Sequence, residues 1–127
     1  MALHVLVIDP DDRTRESLRA SLAAMGLSVA TAKSGEDGLA SARLKAPNLV
    51  ILEVVMPRMD GVECMLALKR LYPRAKYVAV TAAFGMFSAE FLLRVMERLG
   101  AVSGLMKPVS RRELARAVRA AMEVLTP

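Results

Sequence analysis

One cysteine, one histidine and an aromatic content of only 4% leave several chemistries without material. Cys64 has no second thiol for an internal disulfide, and nothing completes a zinc site around it. Its neighbours Val62, Met65, Leu66 and Leu68 favour core packing or a quiet thiol over catalysis. His4 sits in an apolar run, without a second histidine or a kinase-like motif, and reads as an ordinary strand residue. No apolar stretch approaches the roughly 20 residues that span a bilayer. The opening MALHVLVID carries neither a basic leader nor a small-residue cleavage site, so no membrane attachment and a cytoplasmic location are expected. SGEDG, at 34–38, lacks the lysine that would follow in a phosphate-binding P-loop. Internal repeats, low-complexity tracts and linker-like segments are missing too. One domain over residues 1–127 is the expectation.

Against these absences stand 54% hydrophobic and 24% charged residues, enough to build one core. The net charge of +5 suits an acidic partner, whether nucleic acid, an anionic membrane or an acidic protein face. Charge does not choose among them. Without interleaved aromatics or a nucleic-acid motif, a protein target is preferred.

Periodicity divides the chain into alternating apolar runs and amphipathic stretches. LHVLVI (3–8) reads as a buried strand that stops at Asp9 and Pro10, and a helix follows from Asp12 to Met25, ended by Gly26. LSVATA is a second strand; Ser34 and Asp37 resemble a capping box for a helix ending before Pro47. NLVILE is the third strand, and a helix opened near Asp60 runs to Pro73. KYVAVT is the fourth strand, followed by a more apolar helix from about Ser88 to Leu99. AVSGLM is a short fifth strand, and Ser110 caps a last helix whose stripe is Leu114, Ala117, Val118, Ala121 and Leu125. Five strands alternating with five helices, with no hairpin signal, predict an α/β parallel sheet covered on both faces.

In such sheets ligands gather beyond the carboxyl ends of the strands. Asp9, Pro10 and Asp11 follow strand one, Glu53 ends strand three, Thr81 ends strand four, and strand five runs into Lys107 and Pro108. Carboxylates, a hydroxyl and an ammonium converging there could hold a divalent cation and a phosphoryl group. VLVIDPDD, SGEDGL, ILEVVMPRMDG, VAVTA and GLMKP, in this order, resemble the response-regulator receiver family over essentially the whole chain. The resemblance implies a flavodoxin-like sheet of order 2-1-3-4-5 and a signalling role without enzymatic activity of its own. It also implies an Asp on strand three that takes a phosphoryl group from a histidine kinase, two acids that hold magnesium, a Ser/Thr and a Lys on the phosphate, and an aromatic on strand five that reports the switch.

Carried over position by position, Asp9 matches the first acid, Thr81 the hydroxyl and Lys107 the lysine. Glu53 falls at the phosphoacceptor, Pro10 at the second acid and Gly104 at the switch aromatic, and the span from Thr81 to Gly100 is about four residues longer than the family pattern. Glutamate moves the nucleophilic oxygen by about 1.5 Å, one C–C bond, and misplacement of about 1 Å can cost on the order of a hundredfold in rate. Pro10 removes a carboxylate, leaving Asp9 and Asp11 as candidates for a weakened magnesium site; no other cofactor is expected. Gly104 has no side chain to rotate.

Glu53 is expected to reach toward Lys107 and Thr81 in a fixed ion pair, either as the polar centre of the fold or in imitation of a phosphorylated Asp. Asp60 reads as a helix cap rather than an alternative acceptor. The helix from Ser88 to Leu99 is apolar over a wide arc, and Phe91, Val95 and Leu99 are candidates for an interaction face together with Arg112, Arg116 and Arg119 of the last helix. The expected function is a degenerate receiver acting as a phosphorylation-independent interaction module. A still-switchable receiver is the alternative, and a basic nucleic-acid-binding module a more distant one. The resemblance implies signalling partners such as a histidine kinase or an output domain, and leaves a homodimer open.

Overall fold

A computed structural model of the chain describes residues 3–125, with side chains to Glu123. The expected place of Leu125 in the last stripe, and residues 1, 2, 126 and 127 of the expected domain, lie outside this description. The elements run β1 (His4–Ile8), α1 (Asp12–Ala24), β2 (Ser28–Ala32), α2 (Gly35–Leu44), β3 (Leu49–Glu53), α3 (Gly61–Leu71), β4 (Lys76–Thr81), α4 (Ala89–Leu99), β5 (Ser103–Met106) and α5 (Arg111–Leu125). All strand pairs are parallel, in the order β2-β1-β3-β4-β5, the flavodoxin-like doubly wound arrangement.

Central strands buried on both faces hide their alternation, because each residue is apolar whichever way it points. Val5, Val7, Leu49, Ile51, Val78 and Val80 pack with Leu18 and Leu22 of α1 and Leu114, Ala117 and Val118 of α5. Leu6, Ile8, Val50, Leu52, Tyr77 and Ala79 point the other way, onto Ala42 of α2, Cys64, Met65 and Leu68 of α3, and Leu93 and Met96 of α4. Burying both faces of β1, β3 and β4 fixes the register, since a slip by one residue would exchange the two packing sets.

Side-chain caps set the helix starts. Asp11, Ser34, Asp60 and Ser88 each accept a hydrogen bond from the amide three residues on, satisfying one orphan N–H. At α5 the arrangement is reciprocal, with Glu113 N donating to Ser110 Oγ and Ser110 N donating to Glu113 Oε1. The fifth strand is shorter than the expected AVSGLM. Gly100 takes φ +130° and Ala101 N donates to Met96 O at 2.9 Å, so these residues finish α4 before β5 begins.

Gly61 brings the start of α3 onto the end of β3. Its amide donates to Val54 O at 2.8 Å, and a Cβ there would overlap Glu53 O and lie 2.7 Å from Val54 Cα. Neither neighbour is a side chain that can swing away. Gly61→Ala should therefore destabilise the protein by about 1–3 kcal/mol, read as a lower urea midpoint. An unchanged midpoint would show that the β3–α3 junction yields to a methyl group.

Candidate functional site

The ends of β1, β3 and β5 meet around one ammonium group. Lys107, the residue after β5, has its Nζ 2.8 Å from Asp9 Oδ2 and 2.6 Å from Glu53 Oε1. Asp9 is fully buried and Glu53 nearly so. Each carboxylate spends its other oxygen on a backbone amide two residues ahead: Asp11 N donates to Asp9 Oδ1 at 2.9 Å, and Val55 N donates to Glu53 Oε2 at 3.0 Å. Asp9 Oδ2 has no aligned hydrogen-bond donor and faces only the ammonium. Two buried carboxylates side by side would be costly without such a counterion.

The electrostatics follow from that burial. Desolvation pushes the Asp9 carboxyl above its ordinary range, which Lys107 and the Asp11 amide only partly offset. Desolvation also works against the charge of Lys107, but hydrogen bonding and attraction from Asp9 and Glu53 outweigh it and hold the ammonium above the usual lysine range. The stabilisation from Lys107 is therefore complete below the ordinary lysine pKa and is lost as pH rises through the raised folded value. For Asp9 the raised pKa means that stability falls as pH rises from the ordinary carboxylate range through the folded value.

Two sequence expectations for this pocket meet a different geometry. Thr81 is buried at the end of β4, but its Oγ1 donates to Ala82 O at 3.2 Å rather than to Glu53. Asp11 is exposed and caps α1, accepting from Thr14 N and Thr14 Oγ1, whose donation holds its carboxyl below the usual range. Pro10 contributes no side-chain oxygen. The residues do not fit a magnesium site: an ammonium already lies against the inward oxygens of Asp9 and Glu53, and Asp11 serves a helix N-terminus. Among the described residues no three His, Cys, Asp or Glu side chains gather around a common point.

Gly104 has a packing reason. A Cβ at this position would lie 2.9 Å from Leu93 Cβ and 3.0 Å from Leu93 Cδ2, so α4 fills the space beside β5 that a larger residue would need. Cys64 is buried against α2, its thiol 3.8 Å from Gly35 O, and burial pushes its pKa up to about 12. His4 is the buried first residue of β1, with Nδ1 2.8 Å from Ser28 Oγ. Asp60 caps α3, accepting from Glu63 N at 2.9 Å.

The expected interaction face divides in two. Arg112, Arg116 and Arg119 are exposed on α5, on one side of the sheet, and make no ion pair among the described residues. Phe91 and Leu99 are exposed and Val95 half-buried on α4, on the other side. The sequence reading missed a tight turn before α4, in which Phe84 and Phe87 form an antiparallel bridge. Gly85, with φ +57°, was its signal.

The family model for the response regulator receiver domain matches residues 5–119. Response regulator MprA of Mycolicibacterium vanbaalenii is 34% identical over 132 aligned residues, covering 100% of this chain and 53% of that protein. The chain thus spans about half the length of that relative. A CheY-like receiver domain protein from Methanospirillum hungatei superposes with a TM-score of 0.85 at 25% identity, covering 98% of this chain and 97% of that one. NtrX from Brucella abortus gives 0.88 at 25% identity, covering 98% of this chain and 28% of that one.

Removing the ammonium isolates its contribution. Lys107→Met should cost about 3–5 kcal/mol at neutral pH, because two buried carboxylates lose their counterion. The deficit should shrink at about pH 5, because desolvation already favours the protonated form of the Asp9 carboxyl, whose charge then needs less compensation. Urea unfolding of variant and wild type at both pH values measures this; an equal deficit at both would mean that Lys107 is not their counterion.

Proposed function

The chain belongs to the response-regulator receiver family, and from that premise we propose that it is a degenerate receiver, one domain across residues 1–127, working as a phosphorylation-independent interaction module. Receiver domains are generally signalling modules rather than enzymes, and a kinase or an output domain is the kind of partner such a module meets. The observation that carries the reading is the Lys107 ammonium held between Asp9 and Glu53 at 2.8 and 2.6 Å. In this reading Glu53 stands at the phosphoacceptor position, and its carboxylate already occupies the lysine that would otherwise meet a phosphoryl oxygen.

Three further features support it. Glu53 Oε2 accepts from Val55 N and Oε1 faces the Lys107 ammonium, which lowers the nucleophilicity of both oxygens toward a phosphoryl donor. Pro10 and the capping role of Asp11 leave Asp9 without a second acid to share a divalent cation, whose charge phosphoryl transfer requires. Gly104, backed by Leu93, offers no side chain that could swing between buried and exposed positions. The module then presents two separate surfaces, one on α4 through Phe91, Val95 and Leu99 and one on α5 through Arg112, Arg116 and Arg119.

Intact mass after incubation with a small acyl-phosphate donor and magnesium tests the reading. The wild type should gain no phosphoryl adduct, while a Glu53→Asp, Pro10→Asp double variant, which restores both acids, should gain one. An adduct on the wild type that maps to Glu53 would overturn the proposal and make the protein a working switch.

A further inference from the structure

All three phenylalanines of the chain lie on the surface within one eight-residue stretch. Phe84 is 57% exposed, Phe87 44% and Phe91 47%, with Met86 between them at 91%. The turn that holds them out is built, not slack: Phe84 N donates to Phe87 O and Phe87 N to Phe84 O, both at 2.9 Å, around Gly85. The Phe87 ring stacks on Phe91 of α4 with centroids 5.6 Å apart. Large apolar side chains grouped at the surface mark contact sites more often than chance exposure does.

These side chains wall a groove. Phe84, Phe87, Leu92 and Val95 face Val54, Met56 and Val62 across a hollow of about 380 Å³, between the start of α3 and α4. A second hollow of about 210 Å³ lies beside it, lined by Phe91, Arg94, Val95 and Arg98, with Val95 shared by the two. Asp60 borders the first hollow, but its carboxylate is spent on the cap of α3. Arg94 and Arg98 are exposed, one helical turn apart, and form no ion pair among the described residues. No carboxylate lines the second hollow.

We propose that this groove seats an acidic amphipathic helix of a partner protein, with apolar side chains one turn apart entering the two hollows and carboxylates meeting Arg94 and Arg98. The proposal deepens the interaction-module reading and rests on it, by naming the partner's chemistry and moving the contact from the α5 arginines to the α3–α4 side of the sheet. Adjacent hollows sharing one wall suit the i, i+4 anchors by which helices enter grooves. The arginines supply the complementary charge that steers such a partner and sets its orientation. A second copy of the chain is the poorer occupant, since it would bring one +5 molecule against another.

Two synthetic amphipathic helices with the same Leu/Phe stripe, one flanked by Glu and the other by Lys, serve as probes in an NMR titration of the isotope-labelled full chain. The Glu peptide should shift amides from Phe84 to Val95, and an Arg94→Glu, Arg98→Glu double variant should weaken it at least about tenfold while improving the Lys peptide. Both arginines are exposed, so an unchanged urea midpoint certifies the variant's fold. Phe84→Ser should weaken both peptides alike. Equal affinity for the two peptides on the wild type, no shifts with either, or shifts confined to α5 would overturn the proposal. So would a concentration-dependent dimer in sedimentation that Phe84→Ser abolishes, which would make a second copy the occupant. Phosphoryl uptake is read separately, so failure of the groove and failure of the pocket reading give different results.

Discussion

A single buried ammonium sets the terms for the carboxyl-terminal edge of this sheet. Lys107 lies between two carboxylates from two different strand ends, and each carboxylate also fixes the backbone just beyond its own strand. The cluster carries a formal charge of −1 where water is largely excluded, so removing the ammonium leaves two like charges without compensation. The consequences reach beyond the pocket. Asp9 holds the turn into α1 through the amide of Asp11, Glu53 holds the turn toward α3 through that of Val55, and Lys107 N is itself tied to Thr81 O at 2.8 Å. Chain segments that would otherwise be loosely tethered loops are thereby pinned to one charge.

Much of this is legible in the amino-acid sequence. Apolar runs of five or six residues, each followed by a cap residue and an amphipathic stretch, specify the βα repeat strongly, because strand, cap and helix signals agree in each unit. Asp9, Glu53 and Lys107 were identifiable because a parallel sheet delivers its strand ends to one edge. Less legible was which donor each oxygen would choose. Thr81 turns to the neighbouring carbonyl of Ala82 and Asp11 to the N-terminus of α1, both local partners reached at little entropic cost, whereas a bond across the pocket needs several elements in register. Caps and short turns are decided within three residues; the pocket is decided by the whole sheet.

The same contrast explains the two features on either side of α4. Gly104 reads in the sequence as a missing side chain, but in the fold it is the room taken by Leu93, a relation between β5 and α4 that spacing cannot reveal. The turn at 84–87 left only a glycine as its trace. Loop residues add little entropic cost, yet here they close on themselves with two backbone bonds and carry phenylalanines that the core does not absorb. Side chains of this size remain exposed on a structured turn at a cost in solubility, which makes the patch informative.

Pocket and groove are also physically continuous. Glu53 Oε2 accepts from the amide of Val55, and Val54, Val55 and Met56 form the wall of the groove opposite Phe84 and Phe87. Val54 is held from both sides, its amide donating to Val80 O at 3.1 Å and its carbonyl accepting from Gly61 N at 2.8 Å. The side chain of Glu53 thus bridges Lys107 with one oxygen and the groove wall with the other. In a receiver whose state depends on phosphoryl transfer, this segment would be the place where a changed ligand at the pocket is felt by the surface. On the reading proposed above, Glu53 is a ligand that is covalently part of the chain, and a groove wall tied to it takes its selectivity from its shape and from the arginines beside it.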